Sequence, residues 1–183
     1  MVVRKKAETI HLRVSATSKA CLEGLAIATG KTSTRVLEDL IVEAAAKCRV
    51  EGVDVAVDDR FWSGEDWTLL KALELAHSTG DAVLGKLRTY FLADEALSRK
   101  DRFLIEAILW SPDIFLGDTP IFTEAEGVIT NPDSHRVFNV DLYSINQNMS
   151  RLEEYADFCV KNREISLGYL DYIRMVEAKL KGQ

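Results

Sequence analysis

Apolar and polar positions along the chain change period several times, and each change marks a different kind of element. Residues 9–14 alternate, with apolar Ile10, Leu12 and Val14 on one face and Thr9, His11 and Arg13 on the other. That is the period of a half-buried strand. Helical spacing follows twice. Leu22, Leu25 and Ala26 share a face over about 17–29, behind a cap at Ser15 or Thr17, and Cys21 reads as a small buried hydrophobe beside them. Gly30 ends that helix as a left-handed cap, and a second helix over about 33–48 carries Val36, Leu37, Leu40, Ile41 and Ala44.

Residues 50–60 contain one glycine, acids and a short Val53, Val55, Val57 alternation, which predicts a linker or a brief strand. The pattern beyond is mostly helical. Ser63 and Asp66 form a capping box ahead of Trp67, Leu70 and Leu73, with the helix running to about His77. Asp81 opens another helix, with Val83, Leu84, Leu87, Tyr90 and Phe91 as its apolar face. A further helix over about 100–110 shows Phe103, Leu104, Ala107, Ile108 and Trp110, and Pro112 closes it. Residues 113–140 hold two prolines and the turn signal Asn131-Pro132-Asp133, with short strands or extended loop between them. Helical period returns over 141–181, with a break expected near Asn162 or Gly168. The fold class is therefore mainly α. A domain of one strand and two helices occupies 1–49, a linker 50–60, and a mostly helical domain 61–183.

One strand and two helices cannot close a core alone, because a lone strand leaves both edges unpaired. A second copy of the chain is the remedy. Its expected dimer core is Ile10, Leu12, Val14, Leu22 and Leu25, joined by Val36, Leu37, Leu40 and Ile41 of the second helix.

Charge changes the picture more than composition does. Apolar residues make up 47% and charged residues 28%, as in an ordinary globular protein, and no run of 18 apolar residues offers a membrane span. Cys21, Cys48 and Cys159 are odd in number and far apart, which argues against a disulfide framework or a cysteine-type zinc site. They fit a reducing cytoplasm, where the protein is expected to reside. The net charge of −6 hides a division: residues 1–49 hold nine Lys/Arg against five Asp/Glu, a net of +4. The remaining 14 basic and 24 acidic residues give −10. Phosphates are attracted by the first part and repelled by the second.

The strand, the two helices and the turn between them over residues 8–49 resemble the ribbon-helix-helix (Arc/MetJ-like) DNA-binding family. The resemblance implies a homodimer whose paired strands enter the major groove of double-stranded DNA while the helices interlock. The base-contacting residues are then Thr9, His11 and Arg13, with Arg able to bridge guanine O6 and N7. Phosphates fall to the basic arm Arg4, Lys5 and Lys6 and to the turn Lys31, Thr32, Ser33 and Thr34. That turn places the unpaired N–H groups of a helix start beside a lysine. The implied function is a sequence-specific transcriptional regulator, most simply a repressor. A plasmid conjugation (relaxosome) accessory or partition protein is one alternative, and a dimerising interaction scaffold without DNA binding is another. A higher oligomer on DNA, and a protein partner or effector at the C-terminal domain, are further expectations.

No catalytic constellation stands out. The chain lacks a glycine-rich phosphate loop, G-x-S-x-G, H-E-x-x-H and C-x-x-C. His77 and His135 have no partner at ligand spacing, and Asp58-Asp59, Glu65-Asp66 and Glu153-Glu154 are adjacent pairs that diverge on a helix. Trp62, Trp67 and Trp110, with Tyr90, Phe103 and Phe115, read as an aromatic core. Neither an enzyme nor a metal or cofactor site is expected.

Overall fold

A computed structural model describes residues 11–62 and 67–181. The described residues form eight α-helices and one two-stranded antiparallel sheet, so the chain is mainly helical. It divides into two compact units between Ala44 and Ala45.

In the first unit, α1 spans Ala16–Thr29 and α2 spans Ser33–Lys47. The Ser15 side chain caps α1 by accepting the Ser18 N–H at 3.1 Å. Gly30 ends it at φ 66°, a backbone conformation that a Cβ would strain, and the Lys31 N–H then closes onto the Ala26 carbonyl at 3.1 Å. Thr32 caps α2 by accepting the Arg35 N–H at 3.2 Å.

The second unit is built from α3 (Leu69–Ala76), α4 (Ala82–Ala93), α5 (Arg99–Leu109), α6 (Pro112–Phe115), α7 (Leu142–Lys161) and α8 (Tyr169–Lys181). Short polar side chains start four of these helices: Thr68, Asp81, Ser98 and Asp141 each accept N–H groups of the first turn. The main packings are α3 on α4 and α5 on α7, with α4 touching α5. Leu87, Phe91 and Leu92 of α4, Ile105, Ile108 and Leu109 of α5, and Ile145 and Leu152 of α7 are fully buried in one core.

Strands β1 (Leu116–Pro120) and β2 (Asn139–Val140) pair in antiparallel fashion, with an irregular register between Leu116 and Thr119. At Gly117 a Cβ would come within 2.5 Å of the Asp141 backbone N, so the close approach of the two strands needs glycine there.

Three expectations are corrected. Residues 50–60 are no linker: Val50, Ala56 and Val57 are buried, Val57 bridges Ile129, and the Asp58 N–H donates to the Val128 carbonyl at 2.8 Å. The alternation is not that of a strand face, since Val55 and Val57 share a parity yet Val57 is buried and Val55 exposed. The helix expected from Ser63 starts instead at Thr68, and Ser63 and Asp66 lie outside the described residues. Trp67 precedes it and donates its indole N–H to the Leu92 carbonyl at 3.1 Å. Pro112 opens α6 rather than closing α5, which has already ended at Leu109.

Two buried arginines fasten the irregular segments to the helices. Arg88 of α4, 2% exposed, donates to the Ile121 carbonyl at 2.6 Å and makes a paired contact with Glu126 at 2.9 and 3.0 Å. Arg136 makes a second paired contact, with Asp54 at 2.6 and 2.9 Å, and bonds Asp133 as well. Its guanidinium lies over the rings of Phe91 and Phe138.

Burial raises the Glu126 carboxyl pKa, but the Thr123 N–H and hydroxyl and the Arg88 guanidinium outweigh it and hold the carboxyl below its ordinary 4.5. A depressed folded-state value stabilises the fold above about 4.5 and loses that contribution as pH falls through the folded value. Glu126→Gln should therefore lower the unfolding free energy at pH 7 by about 3 kcal/mol, because Arg88 is left buried without its counter-charge. The gap to wild type should close in acid, as denaturant titrations at pH 7 and pH 3 would show. An equal gap at both pH values would mean that the ion pair is not its source.

Candidate nucleic-acid interface

The residues expected to meet DNA fall into three places. Arg4, Lys5, Lys6, Thr9 and Ile10 lie outside the described residues. His11 and Arg13 are exposed, in a stretch over 11–15 that is neither helix nor strand in the single chain. The expected strand is thus not formed there. A two-stranded ribbon takes its backbone partners from another chain, and a single chain has none to offer.

Lys31, Thr32, Ser33 and Thr34 are brought together where α2 begins. Helix geometry leaves the Ser33 and Thr34 N–H groups without an intrahelical acceptor, at the positive end of the helix dipole. The Thr32 hydroxyl oxygen is already engaged as the cap.

The local charges are arranged differently from the sequence expectation. Lys31 Nζ donates to Asp39 Oδ2 at 2.7 Å, and Arg35 Nε reaches Asp39 Oδ1 at 3.1 Å. The hydrogen bond from Lys31 is the main reason that the Asp39 carboxyl is held below its ordinary value. Arg35 and Asp39 were not among the expected site residues. Their spacing, four apart on one helix, is the signal that pairs them. Lys31 stands eight residues from Asp39, ahead of the helix, where no periodicity rule points. An anion at this turn has to compete with Asp39 for both cations.

The apolar side of the unit is mostly uncovered. Val36 is buried and Leu22 and Leu37 are half-buried. The other described residues of the expected dimer core are exposed: Leu12 60%, Val14 58%, Leu25 44%, Leu40 46% and Ile41 51%. Cys21, expected to be buried, is exposed as well, and so are Ile27 and Val42, which the expected core left out. Fully burying a leucine or isoleucine yields about 1.5–3 kcal/mol. Covering the remaining half of five such side chains is then worth roughly 1 kcal/mol each, comparable in sum to the whole stability of a small domain.

Elsewhere, His77 and His135 are exposed. No cluster of three or more His, Cys, Asp or Glu among the described residues is arranged to hold a metal ion. No helix among them is long and apolar enough to cross a membrane.

Comparison with protein-family models, curated proteins and solved structures finds no match to this chain.

The Thr32 cap gives a direct check on the geometry of the turn. Thr32→Ala should cost about 1 kcal/mol of stability, while Thr32→Ser should restore most of it. Thermal melts of the two variants beside wild type measure both effects, and identical melts for all three would place the cap elsewhere.

Proposed function

We propose that residues 8–49 form a ribbon-helix-helix homodimer that binds double-stranded DNA sequence-specifically, and that the protein is a transcriptional regulator, most simply a repressor. The observation that carries this is the uncovered apolar face of Leu12, Val14, Leu25, Leu40 and Ile41, on a segment whose charge has the sign that DNA requires. A unit of two helices with one buried large side chain among its described residues needs a further surface to close on. A second copy supplies an equal face and a strand for residues 9–14 to pair with.

In that dimer Thr9, His11 and Arg13 of each copy project from the ribbon toward base edges. The start of α2, with Lys31 to Thr34, anchors a phosphate on each side. Pairing of the two strands brings together six polar side chains, enough for a base-reading surface within the width of a major groove. The acidic, helical second unit serves oligomerisation, a protein partner or an effector.

A second reading, a dimerising scaffold without DNA binding, is favoured by one observation. Lys31 and Arg35 are both occupied by Asp39, so the most phosphate-ready cations of the turn are internally satisfied.

Two experiments test the parts separately. Sedimentation of the full-length protein should give a dimer at micromolar concentration, and Leu40→Glu should shift it to monomer. A monomeric wild type would defeat both readings. Arg13→Ala should then leave the dimer intact while costing about 1–3 kcal/mol of DNA affinity and relaxing base preference. Fragments selected from the source genome supply the DNA for that measurement, and unchanged affinity in the variant would favour the scaffold.

A further inference from the structure

Helices α5 and α7 pack along one another, and the chain between α7 and α8 returns beside them. A cavity of about 400 Å³ lies among these three pieces, within the second unit. That volume is in the range of small-molecule sites. Phe103 and Glu106 of α5, Trp110 just past its end, Tyr155 and Cys159 of α7, and Tyr169 of α8 line it.

Several features of this lining are out of keeping with a plain packing defect. Trp110 is 53% exposed and Ile165, on the same cavity, is exposed too, so large apolar surfaces stand open beside an interior. Glu106 is half-buried against the aromatic side chains, and no ion pair reaches it among the described residues. Arg102 acts on it electrostatically, but its guanidinium is bonded to the Asp94 carboxylate and backbone carbonyl. Burial accordingly pushes the Glu106 carboxyl up, against the smaller opposing effects of Arg102 and the Tyr90 hydroxyl. Tyr169, 3% exposed, has a hydroxyl with no hydrogen-bond partner among the described residues. By contrast Asp171, the other acid on the cavity, is already paired with Arg174 at 3.1 Å.

The sign of the missing charge can be read from the lining. No Lys, Arg or His is among the described lining residues, and residues 50–183 carry −10, so an organic anion would meet only repulsion. A neutral ligand would bury Glu106 further without compensating it, which is costly. A cation with an apolar body answers both demands. Its charge pairs with the carboxylate, and aromatic faces attract the same charge. We propose that this cavity is a binding site for a small organic ammonium ion, held by Glu106 and by the aromatic side chains of Phe103, Trp110 and Tyr155. The site is independent of the DNA-binding proposal, because it lies wholly within the second unit and requires no nucleic acid.

Calorimetric titration of the full-length protein, without DNA, tests it with three probes of nearly equal shape: phenethylammonium, phenethyl alcohol and 3-phenylpropionate. The ammonium should bind at least roughly tenfold more tightly than the alcohol, and the carboxylate should not bind measurably. Glu106→Gln should remove that preference for the ammonium. Trp110→Ala, a change at an exposed position that leaves the fold in place, should weaken all binding. A melt of each variant without probe separates loss of the site from loss of the fold. The proposal is overturned by absence of heat with the ammonium, by equal affinities for the three probes, or by an undiminished ammonium preference in a folded Glu106→Gln.

Discussion

Burial of two guanidinium groups holds the irregular part of the second unit in place. Residues 50–59 and 120–138 have no helix of their own beyond short turns, so they cannot satisfy their backbone groups locally. Arg88 reaches across to the Ile121 carbonyl and to Glu126, and Arg136 ties the 133–138 stretch to Asp54. A charge at this depth is tolerated only when its donors are matched, and the loss of one partner is expensive. The arrangement is therefore close to all-or-none. With both pairs made, Val57, Ile121, Val128 and Val137 join the same core as Phe91. The aromatic rings beneath the guanidinium groups add to the match, since Arg88 lies over Phe122 and Arg136 over Phe91 and Phe138.

The first unit faces the opposite problem. Its helices are well started and well stopped, by Ser15, Gly30 and Thr32, yet they have little to bury. Local propensity and capping are enough to define two helices but not to hold them against unfolding, which takes tertiary packing of an apolar face. Val36 is the one buried side chain of α2, while Leu40 and Ile41 stand half open. The same chain thus contains one unit fastened by internal ion pairs and one whose apolar surface is left over.

What the sequence discloses about this chain follows the range of the interaction involved. Caps act over two or three residues, so Ser15 and Asp81 are legible as helix starts, and Gly30 as a stop. The expected break near Asn162 or Gly168 is met by one gap that spans both positions, because α7 ends at Lys161 and α8 begins at Tyr169. Residues 50–60 were misjudged because what fixes them is remote: the partner of Asp54 lies 82 residues downstream, at Arg136. Periodicity carries no trace of such a pair. The Lys31–Asp39 contact escaped for the same reason, since it joins a turn to a helix face. No spacing in the helical pattern singles out Glu106. Its half-burial depends on α7 and on the chain before α8, which come decades of residues later.

The division of charge bears on how far the acidic unit can oppose an approach to phosphate. At physiological ionic strength a charge is largely screened beyond about 8 Å, so carboxylates farther than that from a bound phosphate weigh little whatever their number. Net charge is then a poor guide, and the local field at the start of α2 decides. There the acid that matters is Asp39, bonded to Lys31 at 2.7 Å and to Arg35 at 3.1 Å. Against it stand the N–H groups of Ser33 and Thr34 and the two cations it holds. A phosphate bound at this turn would exchange one anion for another on Lys31 and Arg35, which costs less than stripping both of water. On the DNA-binding proposal, the strength of a phosphate contact at this turn would therefore be the difference between phosphate and Asp39 as partners rather than the full worth of either.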